Sequence, residues 1–177
     1  MKIFATALIA ASVLAAPVFA QSTMEKTGVN SVIGKAPTTQ DFVTEAAISD
    51  MFEIDSSQTA QTKAQNANVK SFAGKMVEDH TKTTNDLKAL VNGGKVQAQI
   101  PAAMDDAHKK KLDKLNSLNG KDFDKQYASD QKSAHKDAVS LFRRYAKGGD
   151  NADLKAFAAK YLPTLKEHKK MADNLKP

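Results

Sequence analysis

Three of the four histidines in this 177-residue chain fall on or beside rows of apolar residues that recur every three or four positions. These are His80, His135 and His168, and Glu53 lies on a fourth such row. An ionisable group is costly to bury unless it is paired, protonated or bound to metal. Imidazole nitrogens and carboxylate oxygens are also common ligands of transition metals. The spacing therefore predicts that these four side chains meet inside the protein.

Two interpretations of this cluster remain open. In the first, Glu53, His80, His135 and His168 are ligands of one metal ion, with iron or zinc as the candidates. In the second, the histidines hydrogen-bond to Glu53, to tyrosines or to the backbone and fix the register of the helices. We prefer this structural network, so no cofactor is predicted. The tyrosines that could serve as partners are Tyr127 and Tyr145.

Residue counting gives a first estimate of the level of each polar group. If the first predicted turn is centred on Ala67, Glu53 and His80 lie level and can share a hydrogen bond. Around the last turn, His168 lies about 6 Å along the helix axis from the level of His135. A ferritin-type di-iron site is excluded, because that site needs Glu-x-x-His on two helices. Neither His80 nor His168 is preceded by a glutamate at that spacing.

Recognisable enzyme motifs are missing from the sequence. Cysteine is absent, which excludes disulfides, thiolate metal sites and cysteine nucleophiles. There is no Gly-x-Ser-x-Gly, no phosphate-binding glycine loop and no His-Glu-x-x-His. An enzyme is therefore not the expected function.

The elements that must position the histidines are helices. Four apolar rows with helical spacing predict four helices of about 25 residues, each about 37 Å long. Short links join the first helix to the second and the third to the fourth, and a longer connector with a short extra helix lies between the pairs. Asp122 is the predicted cap of the third helix, and Pro163 should kink the fourth near Ala159 or break it. We predict an all-α, antiparallel up-down four-helix bundle with a short extra helix in the second connection.

The first residues have the features of an export signal. Lys2 precedes the uncharged stretch 3–20, which ends in Val18-Phe19-Ala20. We predict a signal peptide over 1–20, cleaved after Ala20, then a flexible leader over 21–37 and a helical domain over 38–176. The expected location is the periplasm, with outer-membrane association as an extension of that expectation.

The net charge of +6 limits the choice of partners. The densest basic run lies on the connector and contains four lysines that could contact an anionic envelope surface weakly. Acidic residues within the run favour a simple solvated helix face. Nucleic acid is not an expected partner, because basic and aromatic residues do not alternate. The four lysines are Lys109, Lys110, Lys111 and Lys114.

Several short motifs occur in an order and spacing that resemble a bacterial family, the domain-of-unknown-function family 4142. Each motif is weak alone, but together they extend over residues 38–175. The resemblance implies an exported, ferritin-like helical bundle in the periplasm or at the outer membrane, and it implies no activity, substrate or metal. The motifs are Asp41-Phe42-Val43, Ala46-Ala47, Phe52-Glu53-Ile54, Val69-Lys70-Ser71-Phe72-Ala73, Met76-Val77-Glu78-Asp79-His80-Thr81, Phe123-Asp124-Lys125-Gln126-Tyr127 with His135, and Leu162-Pro163-Thr164-Leu165 with His168.

Three functions follow from the sequence, in order of preference. The first is an exported, non-enzymatic binding or stress-related protein with structural histidines. The second is a metal-binding bundle for storage or redox chemistry. The third is an envelope-surface protein that binds anionic lipid or polymer. The oligomeric state and the ligand are open at this point.

Overall fold

The computed structural model describes residues 22–26 and 29–177, and no strand occurs among them. The all-α prediction is therefore confirmed for this part of the chain. Four of its helices are 23 residues or longer. The helices are α1 (Thr23–Lys26), α2 (Val29–Ile33), α3 (Thr39–Lys63), α4 (Ala67–Asn92), α5 (Asp106–Asn116), α6 (Gly120–Gly148) and α7 (Ala152–Asn174).

Polar side chains cap most of the long helices. Thr38 accepts a hydrogen bond from the Asp41 amide at the start of α3, and Asn151 accepts from the Leu154 amide at the start of α7. Such caps satisfy amides that have no partner within the helix. Asp122 is not the cap of α6. That helix follows Asn119, and Asp122 lies in its first turn, where a carboxylate interacts favourably with the helix dipole.

The four long helices pack as two hairpins, α3 with α4 and α6 with α7, and the hairpins meet through α3–α6 and α4–α7. Thr39 at the start of α3 bonds to Tyr145 near the end of α6, so these two helices are antiparallel. Helices α4 and α6 consequently run in the same direction, and a simple alternation along the chain does not occur. The connector over 93–119 therefore runs the length of the molecule, and its helix α5 packs on α3 and α6.

The buried core consists of two apolar clusters with a polar layer between them. One cluster contains Phe42, Phe142 and Phe157, and the other contains Met76 and Phe123. In each long helix, one portion packs in the first cluster and another portion packs in the second. A buried ionisable residue lies between these two portions. The residues of this layer that bear on the site are Asp50, Glu53, His80, His135 and His168.

Helix α7 is continuous through Pro163, so the predicted break does not occur. Proline removes one backbone hydrogen bond and crowds the carbonyl four residues earlier. Tyr161 and Leu165 on either side stay buried in the core, and their packing holds the helix together. His168 therefore remains in register with the rest of α7.

The segment predicted as a flexible leader contains α1 and α2 and contacts the long helices. The Glu25 carboxylate forms two hydrogen bonds with the Arg144 guanidinium of α6, and both side chains are buried. Arg144 also donates to the Lys35 carbonyl. The predicted signal peptide, 1–20, lies outside the described residues. No helix in the described part of the chain is both long enough and apolar enough to cross a membrane.

Candidate metal centre

The histidines of α4, α6 and α7 meet in the polar layer. One ring nitrogen of each lies within 4.8 Å of one ring nitrogen of the other two, and all three side chains are buried. The ring centroids of His80, His135 and His168 are 5.4–5.6 Å apart, so the rings form a nearly equilateral triangle. The axial offset expected for His168 does not separate it from the other two.

His80 is held by a carboxylate of α3. Its Nδ1 lies 2.8 Å from Asp50 Oδ1, and the second oxygen of Asp50 accepts from the Thr84 hydroxyl at 3.1 Å. The prediction that Glu53 is the partner of His80 is therefore wrong. The α3–α4 turn is centred on Gln65, two residues earlier than assumed, which puts Asp50 level with His80. The bond to Asp50 uses Nδ1 of the ring, so Nε2 is not bonded to Asp50 and is directed to His135.

His135 is held by its own helix. Its Nδ1 lies 2.9 Å from the Gln131 carbonyl oxygen. Because a carbonyl only accepts, Nδ1 carries the proton and Nε2 carries the lone pair. That Nε2 lies 3.5 Å from Nε2 of His80. The bond fixes both the tautomer and the direction of the ring.

His168 is held by a carboxylate of α4. Its Nε2 lies 2.7 Å from Asp79 Oδ2, and the same oxygen is 2.9 Å from Lys75 Nζ. The other ring nitrogen, Nδ1, is buried and has no hydrogen-bond partner among the described residues. Each of the three histidines therefore has one ring nitrogen bonded to a carboxylate or carbonyl oxygen and a second ring nitrogen without such an acceptor. None of them bonds to Glu53, Tyr127 or Tyr145, the side-chain partners expected for a structural network.

Burial keeps two of these rings neutral. It lowers the pKa of His135 to about 3 and that of His168 to about 4, and the nearby charge of His80 lowers both further. Burial also opposes the charged form of His80, but the bond to Asp50 together with the negative charges of Asp50, Glu53 and Asp79 outweighs it and raises the pKa of His80. A neutral imidazole is the form that binds a metal ion.

The donor set fits one transition-metal ion. A metal–nitrogen bond to histidine is about 2.0–2.1 Å, so two nitrogens on one ion lie about 3.3–3.6 Å apart. The pair from His80 and His135 already has this separation, 3.5 Å. Asp50 and Asp79 bond to the outer nitrogens, which is the usual way that ligand histidines are oriented. Their two negative charges also balance a divalent cation.

Glu53 lies apart from the histidine triangle. Its Oε1 is 3.9 Å from Nδ1 of His135, the nitrogen that already bonds to Gln131. Neither carboxyl oxygen of Glu53 has a hydrogen-bond partner among the described residues. Burial raises the pKa of Glu53 to about 7. The structure therefore does not bring Glu53 to the open nitrogens of the histidines.

The three groups that orient the histidines were not predicted from the sequence. Asp79 immediately precedes His80, but it serves His168 on the neighbouring helix. Asp50 lies one turn before Glu53 on the same helix, and Gln131 lies one turn before His135. Of the three groups, only Gln131 could have been predicted from the sequence, because it lies one helical turn before His135 on the same helix.

The basic run of the connector lies on the surface of α5. All four of its lysines are exposed, and contact with an anionic surface stays a prediction. They are Lys109, Lys110, Lys111 and Lys114.

Comparison with known proteins identifies a family and one similar fold. The family model "Domain of unknown function (DUF4142)" matches residues 25–175, so the resemblance seen in the motifs is confirmed. A solved structure described as "CopM in the Cu(II)-bound form" superposes with a TM-score of 0.66 at 17% identity. The match covers 78% of this chain and 95% of that one. No curated protein matches this chain significantly.

Proposed function

This chain belongs to the DUF4142 family, and we propose that it binds one transition-metal ion through His80, His135 and His168. One observation carries the proposal. Each ring has one nitrogen bonded to a carboxylate or carbonyl, one ring nitrogen of each lies within 4.8 Å of one from the other two, and Nδ1 of His168 is buried without a hydrogen-bond partner among the described residues. A network that only sets helix register would give Nδ1 of His168 a hydrogen-bond partner, because unpaired buried polar groups are costly.

The chemistry of the ligands favours copper or zinc over iron. Imidazole suits both ions, whereas iron sites in helical bundles are rich in carboxylates. Glu53 is not a direct ligand in this proposal, so the inner ligands are all imidazoles. A given nitrogen site binds Cu²⁺ more tightly than Zn²⁺. The similar structure described as Cu(II)-bound supports copper as an ion for this fold, although the two chains are only 17% identical.

The proposed role is to hold or carry the ion after export. The single long connector along the helices is the arrangement of ferritin-like bundles, and we assign the chain to that layout. A signal peptide over residues 1–20 would bring the site to the periplasm. The buried, fully anchored ligands favour binding over catalysis, since they include no acidic or basic group at the open nitrogens.

Equilibrium binding tests the proposal directly. Metal-free protein is titrated with Zn²⁺ and Cu²⁺ against a competing chelator, for the wild type, His135→Gln and His108→Gln. His108 lies on the connector outside the histidine triangle, bonds to Asp105 and packs its ring edge-on against Phe52. We expect one ion per wild-type chain, the same for His108→Gln, and at least about 100-fold weaker binding for His135→Gln. Equal binding by all three proteins would refute the proposal.

A further inference from the structure

We propose that the ion exchanges through the face between α4 and α7, where His168 is the ligand that detaches and Lys75 promotes its detachment. This inference rests on the proposed function, because it assumes that the three histidines bind the ion. The site then has two ligands that stay in place, His80 and His135, and one ligand that detaches, His168. Lys75 then controls how readily the protein passes its metal ion on.

The three anchors of the histidines differ in their access to water. Asp50, which holds His80, has a side chain that is 5% exposed, and the Gln131 residue that holds His135 is fully buried. The Asp79 side chain, which holds His168, is 23% exposed. Of the three anchoring groups, only Asp79 is therefore exposed enough for water to compete with the histidine that it holds, His168. The edge of the site that faces solvent is the one between α4 and α7.

Asp79 is also shared by two donors. A single oxygen, Oδ2, receives His168 Nε2 at 2.7 Å and Lys75 Nζ at 2.9 Å. A donor that competes for the same acceptor weakens the bond that orients the histidine. Lys75 is 40% exposed at its side chain, so it can leave and return without disturbing the core. No lysine or arginine bonds to the other two anchors among the described residues.

The weaker helix contact in the site is the one between α4, which carries His80, and α7, which carries His168. Helices α4 and α7 contact each other much less than the two helices of either hairpin do. Pro163 lies five residues before His168 and has no amide hydrogen, so the Ala159 carbonyl loses its usual helix partner. A small shift of α7 at this point would change the position of His168 relative to His80 on α4.

Exposed carboxylates near this opening would attract a cation. The negative charges of Glu78 and Glu167 act on Lys75, as does that of Asp79. Both glutamates are exposed, one on each of the two helices that border the opening. Clustered charges of one sign raise the local concentration of counter-ions and their rate of association. The ammonium group of Lys75 lies among them and partly offsets this attraction.

Release kinetics separate these roles. Zn²⁺-loaded protein is mixed with excess 4-(2-pyridylazo)resorcinol, and the first-order release of Zn²⁺ is followed by absorbance. We expect release to be about 2- to 5-fold slower in Lys75→Met, which removes the competitor, and unchanged in Lys75→Arg. In Asp79→Asn, which weakens the anchor, we expect release about 10-fold faster. Lys70→Met, an exposed lysine of the same helix, is the matched charge control.

Each outcome decides one claim. Equal release rates in Lys75→Met and Lys70→Met would overturn the role of Lys75. A rate in Asp79→Asn that equals the wild-type rate would overturn His168 as the ligand that opens. If the wild type retains no Zn²⁺ after desalting, the proposed function itself fails, and this result is distinct from the other two. Circular dichroism melts of each variant check that a changed rate does not reflect unfolding.

Discussion

Asp50 Oδ1 lies 2.8 Å from His80 Nδ1, and the two residues are equally far from Gln65 at the centre of the α3–α4 turn. The turn thus sets which acid on α3 faces His80. Thr84 holds the second oxygen of Asp50, so the carboxylate has a fixed orientation. The Nε2 of His80 is directed to His135 as a consequence.

Replacing Asp50 should weaken metal binding without removing a ligand. In Asp50→Asn the amide cannot supply the negative charge that orients His80 and balances the ion. We expect a 10- to 100-fold loss of Zn²⁺ affinity, the usual range for partners of ligand histidines. Competition with a chelator measures it. Asp86→Asn, on α4 and bonded to Lys160 and Tyr161 at the surface, should bind as the wild type does. Equal losses in both variants would contradict the role of Asp50.

His135 and His168 should each contribute a loss of stability to the metal-free protein as the pH falls below about 6.5. An unfolded histidine takes up a proton near pH 6.5, whereas burial lowers the pKa of His168 to about 4 and of His135 to about 3. At these two residues the unfolded state therefore binds more protons in this window, and acid favours it. The expected loss from His168 is about 3 kcal/mol between pH 6.5 and 4.

Urea unfolding at pH 7, 5.5 and 4.5 measures this dependence. In His168→Gln the free energy of unfolding should change less with pH than in the wild type, because one of the titrating groups is gone. His108→Gln is the control, and it should keep the wild-type dependence. Parallel curves for His168→Gln and the wild type would contradict the prediction, because they would show that the pKa of His168 is the same in the folded and unfolded states.

Titration of Glu53 should change the stability of the folded protein with pH in the opposite direction from titration of His135 and His168. Burial raises its pKa to about 7 from an ordinary value of 4.5, so the folded state holds this proton more tightly than the unfolded state does. The stability contribution is intact below pH 4.5 and is lost as the pH rises through 7. Glu53→Gln removes the buried charge and should be more stable than the wild type by up to about 3 kcal/mol at pH 8.

The comparison of two pH values isolates that effect. At pH 4.5 the stabilities of Glu53→Gln and the wild type should be equal, since both side chains are then neutral. Glu78→Gln, an exposed glutamate on α4, controls for the general loss of a negative charge. A difference for Glu53→Gln that is the same at pH 4.5 and pH 8 would mean that Glu53 does not titrate in this range.

The segment before α3 should contribute to stability. Glu25 and Arg144 form a buried ion pair, and removal of one partner leaves the other charge without compensation. We expect Glu25→Gln to lower the free energy of unfolding by about 3 kcal/mol. Thermal melts measure it, with Glu167→Gln as the exposed control. A wild-type melting temperature for Glu25→Gln would show that the pair is not maintained in solution.

The helices were predictable from the sequence because apolar spacing and caps are local properties. Helix α3 begins after Thr38 and α4 begins after Asn66, two polar residues of the kind that caps helices. The burial of His80, His135 and His168 followed from the same spacing. These features need no knowledge of how one helix sits against another.

The partners of the histidines were not predictable, because they depend on register between helices. An error of two residues in the centre of a turn exchanged Glu53 for Asp50 as the residue level with His80. The bond between Asp79 and His168 crosses from α4 to α7, two helices separated by the long connector. Glu25 and Arg144 are similarly remote in sequence. Counting along the chain cannot relate such elements.

X-ray absorption at the zinc edge of the loaded protein tests the central claim most directly. If His80, His135 and His168 bind one ion, the spectrum should show three nitrogen ligands at about 2.0–2.1 Å with the outer-shell pattern of imidazole. A fourth light ligand is compatible with this result, because zinc prefers four-coordinate geometry. A shell of oxygen ligands alone, or one with fewer than two imidazoles, would contradict the account.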